Sequence, residues 1–233
     1  MKIPASYIFL LLIITQLSCR GKQEVNSVFP PESLKYYQQL VDSSLYRGDT
    51  IKALVDLERI LQVKTDEAAI NRYRELCLSK QEIEREIGFF KKMVRVDKNK
   101  ADFHFALGMA YIDKIQHSPG PEAGMLASSA IDEFKKTIAI DSLHWSALYA
   151  LGMTYYHMPQ DFNCDSEAIK ILSKLLQIQE KTDTLRPEFV FTYITLGDLY
   201  KKVKEEDKAT AVWKKGFSLF PDNDVLKKRL GIE

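Results

Sequence analysis

The six-residue segment ALGMAY, from Ala106 to Tyr111, recurs as ALGMTY from Ala150 to Tyr155 and as TLGDLY from Thr195 to Tyr200. Successive leucines of the motif are 44 and 45 residues apart. Leucine and tyrosine four positions apart lie on one face of a helix, and the glycine between them lets another helix approach closely. The repeated Leu-Gly-x-x-Tyr motif therefore predicts stacked copies of one helical unit.

Each copy is followed by a second helical pattern, in which a small residue precedes a bulky one by four positions. These pairs are Ala130/Phe134, Ala168/Leu172 and Ala209/Trp213. We expect the alanine to lie at the crossing with the first helix and the bulky residue to fill the layer behind it. The combined pattern resembles the tetratricopeptide repeat (TPR), a 34-residue helix-turn-helix unit, and Pro221 follows the last copy where that family commonly has proline.

The resemblance implies an all-α, TPR-type helical solenoid of about five helix-turn-helix repeats. We assign residues 34–100 to two degenerate repeats, residues 101–223 to three clear repeats and residues 224–233 to an amphipathic capping helix with a polar outer face. The clear repeats exceed 34 residues because extra residues fall around 117–121, around 159–163 and before Pro187. These stretches are rich in turn-forming residues, so we expect loop insertions.

The N-terminal sequence indicates export from the cytoplasm. The apolar run Tyr7–Ile14 is too short for a hydrocarbon core of about 30 Å, which favours a secretory signal over a spanning helix. The following Leu17-Ser18-Cys19 resembles the lipobox of bacterial lipoproteins, although Gln16 stands where that family usually has Leu, Val or Ile. The alternative is an ordinary signal peptide with an incidental cysteine.

The lipobox resemblance implies a lipoprotein signal peptide over residues 1–18, lipidation of Cys19 with fatty acids such as palmitate, and a lipidated N-terminus and tether over residues 19–33. We therefore expect a lipid-anchored protein of the bacterial cell envelope, at the outer membrane and facing the periplasm.

Composition and motifs argue against several other classes of protein. The chain has 33 basic and 32 acidic residues, which gives no electrostatic case for binding nucleic acid. It contains no G-x-S-x-G, phosphate-binding glycine loop or H-E-x-x-H motif. We accordingly predict a protein that is not an enzyme, with no catalytic residues, no cofactor and no metal. We expect no disulfide between Cys77 and Cys164, because they lie two repeats apart. A disulfide requires Cα atoms within about 7 Å of each other.

One segment keeps a catalytic or metal-dependent alternative open. His157 is followed by Asp161, Cys164 and Asp165, from which a mixed-ligand metal site could be drawn. The spacing matches no established metal motif, and loops often contain Asp for turn formation alone. An enzyme or metal-dependent sensor that uses the 157–165 loop remains one alternative, and a self-associating structural envelope protein is another.

The TPR resemblance also implies a concave groove, lined by the first helix of each repeat. The predicted protein-binding groove residues are Phe105, Met109, Ile112, Tyr149, Met153, Tyr156, His157 and Ile194. Apolar and aromatic residues on a solvent-facing surface indicate a binding site. The alternative is that the 113–129 insertion, with Met125 and Leu126, folds over the groove and covers it.

The resemblance excludes one mode of binding. TPR proteins that grip a C-terminal carboxylate use Lys and Asn on the groove face of their first two helices, but the corresponding residues here are Gln38, Asp42, Asn71 and Glu75. We therefore predict a membrane-anchored TPR scaffold or adaptor that binds another envelope protein, or a peptide segment of one, by a different mode.

The anchor is tested by the substitution Cys19→Ala. We expect an uncleaved precursor or a released soluble protein that takes up no labelled palmitate, because the acylated thiol is absent. The measurement is metabolic labelling followed by membrane fractionation. Palmitate label persisting in the variant would contradict the assignment of Cys19.

Overall fold

The computed structural model describes residues 31–65 and 67–232, so the predicted signal peptide and Cys19 lie outside the described residues. Within that range the chain forms α-helices and two 3₁₀ turns, without strands. The helices are α1 (Pro31–Tyr46), α2 (Thr50–Val63), α3 (Glu67–Ser79), α4 (Ile83–Val96), α5 (Ala101–Ile115), α6 (Gly120–Ile140), α7 (Trp145–His157), α8 (Asp165–Gln179), α9 (Val190–Lys202), α10 (Glu206–Leu219) and α11 (Asp224–Leu230). None of them has the length and apolar character needed to cross a bilayer.

Helices adjacent in sequence pack in pairs: α1 on α2, α3 on α4, α5 on α6, α7 on α8 and α9 on α10. The predicted all-α solenoid of five helical pairs is confirmed. The capping helix α11 packs on α10, where Leu226 is fully buried while Val225 and Lys228 remain exposed. Its N-terminus is capped by the Asn223 side chain, which accepts a hydrogen bond from the Leu226 amide.

The three Leu-Gly motifs each mark a close approach of the two helices in their repeat. A Cβ added to Gly108 would lie 2.5 Å from the Phe134 ring. A Cβ added to Gly152 would lie 2.6 Å from the Leu172 side chain, and one added to Gly197 would lie 2.1 Å from the Trp213 ring. The bulky residue of the second helix therefore lies directly over the glycine. The expectation that it fills a layer behind the crossing was wrong, because a flat ring or branched side chain needs the space that a missing Cβ leaves.

The degenerate repeat formed by α3 and α4 replaces this contact with aromatic packing. The Tyr73 ring lies 5.2 Å from that of Phe89 and 5.7 Å from that of Phe90, measured between ring centroids. The Tyr73 hydroxyl donates to Glu58, which also accepts from Arg85. Rings thus bring the two helices together where the sequence lacks a Leu-Gly motif.

The longest insertion is helical, which corrects the expectation of a loop. Helix α6 has 21 residues against 14 in α10, and its first turn remains in contact with α5 through the Glu122–Lys114 ion pair at 3.0 Å. Pro121 is compatible with this start because the first turn of a helix leaves its amides unpaired in any case. The second insertion contains a 3₁₀ turn at Gln160–Phe162, and the third ends in one at Pro187–Phe189. Helix α1 begins at Pro31, inside the range expected for the tether.

The glycine contact is tested by comparing two substitutions at helical glycines. Gly197→Ala forces a methyl group into the buried Trp213 ring and should lower the free energy of unfolding by about 1–3 kcal/mol. Gly88→Ala is the matched control, because Gly88 is exposed in α4 with no atom within 4 Å of an added Cβ. It should raise stability by up to about 1 kcal/mol through helix propensity. Urea unfolding measures both, and equal effects would contradict the packing described.

Candidate functional site

A cavity of about 1110 Å³ opens on the face formed by the first helices of successive repeats. Side chains of α3, α5 and α7 line it, together with the N-terminal extension of α6 and the segment that follows α7. Its volume slightly exceeds the 300–1,000 Å³ that is typical of small-molecule sites. The cavity is larger than a second one of about 410 Å³ near His104.

The predicted groove residues divide into two sets. The residues that line the cavity are Phe105, Met109, Ile112, Tyr149, Met153 and His157. Tyr156 and Ile194 lie outside it. Tyr156 packs beneath Lys202, whose Nζ lies 5.6 Å from the ring centroid, and the Ile194 carbonyl accepts a hydrogen bond from Trp213. Both residues are half-buried and pack against their own repeat or the next one.

Phe105 lies deeper than a groove position was expected to lie. Its ring is 6.0 Å from that of Phe134 and 4.9 Å from that of His144, and only 7% of the residue is exposed. By contrast, Met109, Tyr149 and Met153 are half-buried. Phe105 thus forms the boundary between the cavity and the hydrophobic core.

The extension of α6 borders the cavity without filling it. Met125 is 73% exposed and lines the cavity, whereas Leu126, the next residue along, is buried. One side of the extension therefore packs on the body of the protein and the other faces the opening. Residues 113–129 therefore border the groove here and do not fold over it.

Sequence reasoning missed several lining residues at the start of a first helix or beyond its end. Trp145 begins α7, while Met158 and Phe162 follow it. The Trp145 ring is held by Phe189, at a centroid distance of 6.4 Å, and by Arg186, at 5.8 Å. One sequence signal was available: the methionines that line the cavity, Met109, Met125, Met153 and Met158, are four of the six in the chain.

The two charged residues Arg74 and Glu67 at the cavity each have a hydrogen-bond partner. Arg74 donates to Asp113 through Nη2 at 2.7 Å and through Nε at 3.0 Å. Across the opening, the Ser146 hydroxyl on α7 donates to Glu67 on α3 at 3.3 Å. Between these two polar pairs the surface of α5 and α7 is apolar, so the cavity favours an uncharged occupant.

Helix α9 supports the cavity from behind through Thr195. The Thr195 hydroxyl donates to Met153 Sδ at 3.6 Å and interacts with the Tyr149 hydroxyl. Burial raises the pKa of Tyr149, and the interaction with the Thr195 side chain opposes that rise. Two side chains of α7 are thereby positioned by the following repeat.

A buried ionic cluster lies beneath the α3 side of the cavity. Glu86 is fully buried, 3.6 Å from Arg74, and neither of its carboxylate oxygens has a hydrogen-bond partner among the described residues. Burial, reinforced by the negative charge of Asp113, raises the pKa of Glu86 to about 8, while Arg74 opposes the rise. Burial also raises the pKa of Asp113, again against Arg74. The cluster joins α3, α4 and α5 at a point where a carboxylate is poorly solvated.

The 157–165 segment does not assemble a metal site from described residues. No group of three or more His, Cys, Asp or Glu side chains lies close enough there, or elsewhere in residues 31–65 and 67–232, to hold an ion. Asp165 pairs with Lys202 at 2.7 Å, and the Cys164 thiol contacts the Phe162 carbonyl. Cys77 and Cys164 are both free thiols.

Comparison with known proteins supports the fold. No family model and no curated protein matches the chain. Among solved structures, the MamA protein is 20% identical with a TM-score of 0.55, over 82% of this chain and 93% of MamA. A thermophilic TPR protein of Thermus thermophilus is 16% identical with a TM-score of 0.58, over 85% and 97%. YrrB, described as a TPR protein with an unusual peptide-binding site, is 14% identical with a TM-score of 0.54, over 82% and 89%. The chain has the TPR-type fold.

The buried cluster generates a prediction about stability and pH. Because the pKa of Glu86 is about 8 in the folded protein and about 4.5 without burial, the folded state holds the proton more tightly and loses stability as pH rises through this window. Glu86→Gln removes that loss. The variant should be within about 1 kcal/mol of the parent near pH 5 and exceed its free energy of unfolding by on the order of 4 kcal/mol at pH 8.5. Urea unfolding at both pH values measures this, and a difference that does not change with pH would contradict it.

Proposed function

We propose that the protein is a non-catalytic scaffold of the bacterial cell envelope that binds a segment of another envelope protein in the cavity. The observation that carries the proposal is the cavity itself, which is open, apolar and lined by the first helices of a TPR-type solenoid. An apolar surface of this size exposed to water stabilises a complex when a partner covers it.

The lining contains the residue types that dominate protein interfaces. Trp145 and Tyr149 offer large areas at a low cost in side-chain entropy, and each is positioned by other residues, Trp145 by Arg186 and Tyr149 by Thr195. Preorganised aromatic anchors of this kind contribute most of the binding energy in many complexes. The peptide-binding site named for YrrB is consistent with a peptide or protein ligand on this fold.

Membrane anchoring is the second part of the proposal, and it is supported by the N-terminal sequence. Lipidation of Cys19 would attach the chain to the outer membrane on its periplasmic side. Helix α1 begins at Pro31. The segment from Cys19 to Pro31 reaches at most about 40 Å when fully extended. The scaffold would therefore hold its partner close to the membrane surface.

Binding in the cavity is tested with two tyrosines on the same helix. Tyr149→Ala should weaken partner binding by at least about 2 kcal/mol, because the side chain lines the cavity. Tyr156→Ala is the matched control, since Tyr156 lies outside the cavity beneath Lys202. The tagged protein is used to isolate a partner from native membranes, and affinities are then measured by titration.

Circular dichroism shows whether the two variants still fold. Both variants should retain the helical circular dichroism signal of the parent, which shows that lost binding reflects the cavity surface. Equal capture by Tyr149→Ala and the parent would place the binding surface elsewhere. A larger loss from Tyr156→Ala than from Tyr149→Ala would also count against the cavity.

A further inference from the structure

We propose that Met125 is a site of reversible oxidation to methionine sulfoxide, and that this oxidation weakens partner binding in the cavity. The inference rests on the proposed function and adds a means of regulating the same site. It is drawn from where the methionines of the chain lie and from how much of each is exposed to solvent.

The methionines of the described residues are concentrated at the cavity. The chain has six methionines, of which Met1 lies outside the described residues. Those that line the cavity are Met109, Met125, Met153 and Met158. The remaining one, Met93, is only 4% exposed in the hydrophobic core. Because oxidation follows exposure, methionine oxidation in the folded protein falls on the surface that would contact a partner.

The four methionines at the cavity differ in their access to solvent. Met125 is 73% exposed, whereas the other three are half-buried. The Met153 sulfur also accepts a hydrogen bond from the Thr195 hydroxyl at 3.6 Å, which occupies one of its lone pairs. An oxidant that arrives from solvent therefore reaches the Met125 sulfur first.

The fold can accommodate a sulfoxide at position 125. Leu126, the next residue, is buried and keeps α6 packed, while the Met125 side chain faces the opening. In the unbound protein the added oxygen is hydrated, so the helix has no reason to move. A partner that covers this side chain would have to remove water from the polar oxygen, which is unfavourable. Oxidation thus changes the binding surface and leaves the fold intact.

The reaction balances with a peroxide as the oxidant. The Met125 sulfur donates an electron pair to one oxygen of hydrogen peroxide, so that an S–O bond forms as the O–O bond breaks. The sulfur is oxidised by two electrons and the peroxide is reduced. The second oxygen leaves as hydroxide and becomes water by taking the proton of the first. A sulfoxide reductase reverses the change with a dithiol, which removes the oxygen as water and becomes a disulfide.

Cys164 is the competing target for a peroxide, since Cys77 is fully buried. Burial, followed by the negative charges of Glu167 and Asp165, raises the pKa of the Cys164 thiol. The reactive thiolate is therefore scarce at neutral pH. A sulfenic acid or disulfide at Cys164 is reduced by dithiothreitol alone, whereas methionine sulfoxide needs its reductases, so the two targets can be told apart.

The first experiment measures the order of oxidation. Membranes from cells that produce the tagged full chain are treated with graded hydrogen peroxide, and peptide mass spectrometry gives the oxidised fraction of each methionine. We expect Met125 to be half oxidised at a dose about threefold or more below that for Met109 or Met153, and Met93 to react last. Earlier oxidation of any other methionine would overturn the inference.

The second experiment measures binding at the dose that oxidises Met125 alone. The probe is the partner protein isolated with the unoxidised chain from native membranes. Oxidation should weaken binding about fivefold or more. Methionine sulfoxide reductases A and B with dithiothreitol should restore it, and dithiothreitol alone should not. In Met125→Leu, compared with itself before and after peroxide, binding should change less than about twofold because leucine has no sulfur to oxidise.

A variant that carries a permanent polar group tests the same effect without peroxide. Met125→Gln places an amide where the sulfoxide would be and should weaken binding about fivefold or more. Leu143→Gln is the matched control, because Leu143 is 64% exposed and does not line the cavity. It should change binding less than about twofold.

The remaining outcomes separate this inference from the proposed function. Unchanged binding after oxidation of Met125, an equal loss in Met125→Leu, or restoration by dithiothreitol alone would overturn the inference and leave the proposed function intact. Parent-like binding by Met125→Gln would do the same. Failure of the unoxidised chain to retain any partner would overturn the proposed function, and this inference with it.

Discussion

The close approach of paired helices at a glycine is the constraint on which this solenoid depends. Phe134, Leu172 and Trp213 each occupy the space that a Cβ would fill, so each of the three clear repeats has the same geometry despite different side chains. Repeats stabilise chiefly their neighbours, and the spacing within one pair therefore sets where the next pair packs. The alignment of α5, α7 and α9, and hence the cavity surface, follows from these contacts.

The cavity depends on a departure from the regular repeat. In a regular 34-residue repeat the two helices have similar lengths. Helix α6 is longer at its N-terminus, and this extension borders the opening of the cavity. Arg74 is paired with the Asp113 carboxylate, and Glu67 accepts a hydrogen bond from Ser146. The result is an apolar site in a chain whose overall composition is evenly charged.

Much of the fold could be predicted because the Leu-Gly-x-x-Tyr motif encodes a local packing geometry. The residues of the candidate site were harder to predict from the sequence than the fold was. Met109, Tyr149 and Met153 follow from helical spacing, and Trp145, four residues before Tyr149, extends the same stripe by one turn. Phe162 lies in the 3₁₀ turn after α7, where helical periodicity does not apply. The α6 extension was taken for a loop because its proline and glycines are turn formers, although these residues are equally acceptable in the first turn of a helix. The pairing of Arg74 with Asp113 joins separate repeats, and no local pattern reveals it.

The hydrogen bond between Ser146 and Glu67 gives the solenoid a mechanical property. It joins helices that are 79 residues apart in sequence and contributes only about 0.5–1.5 kcal/mol. Breaking it leaves the three glycine contacts and the Arg74–Asp113 pair between α3 and α5 intact. Because the bond contributes so little, a partner that separates α3 from α7 at this point costs the fold little free energy.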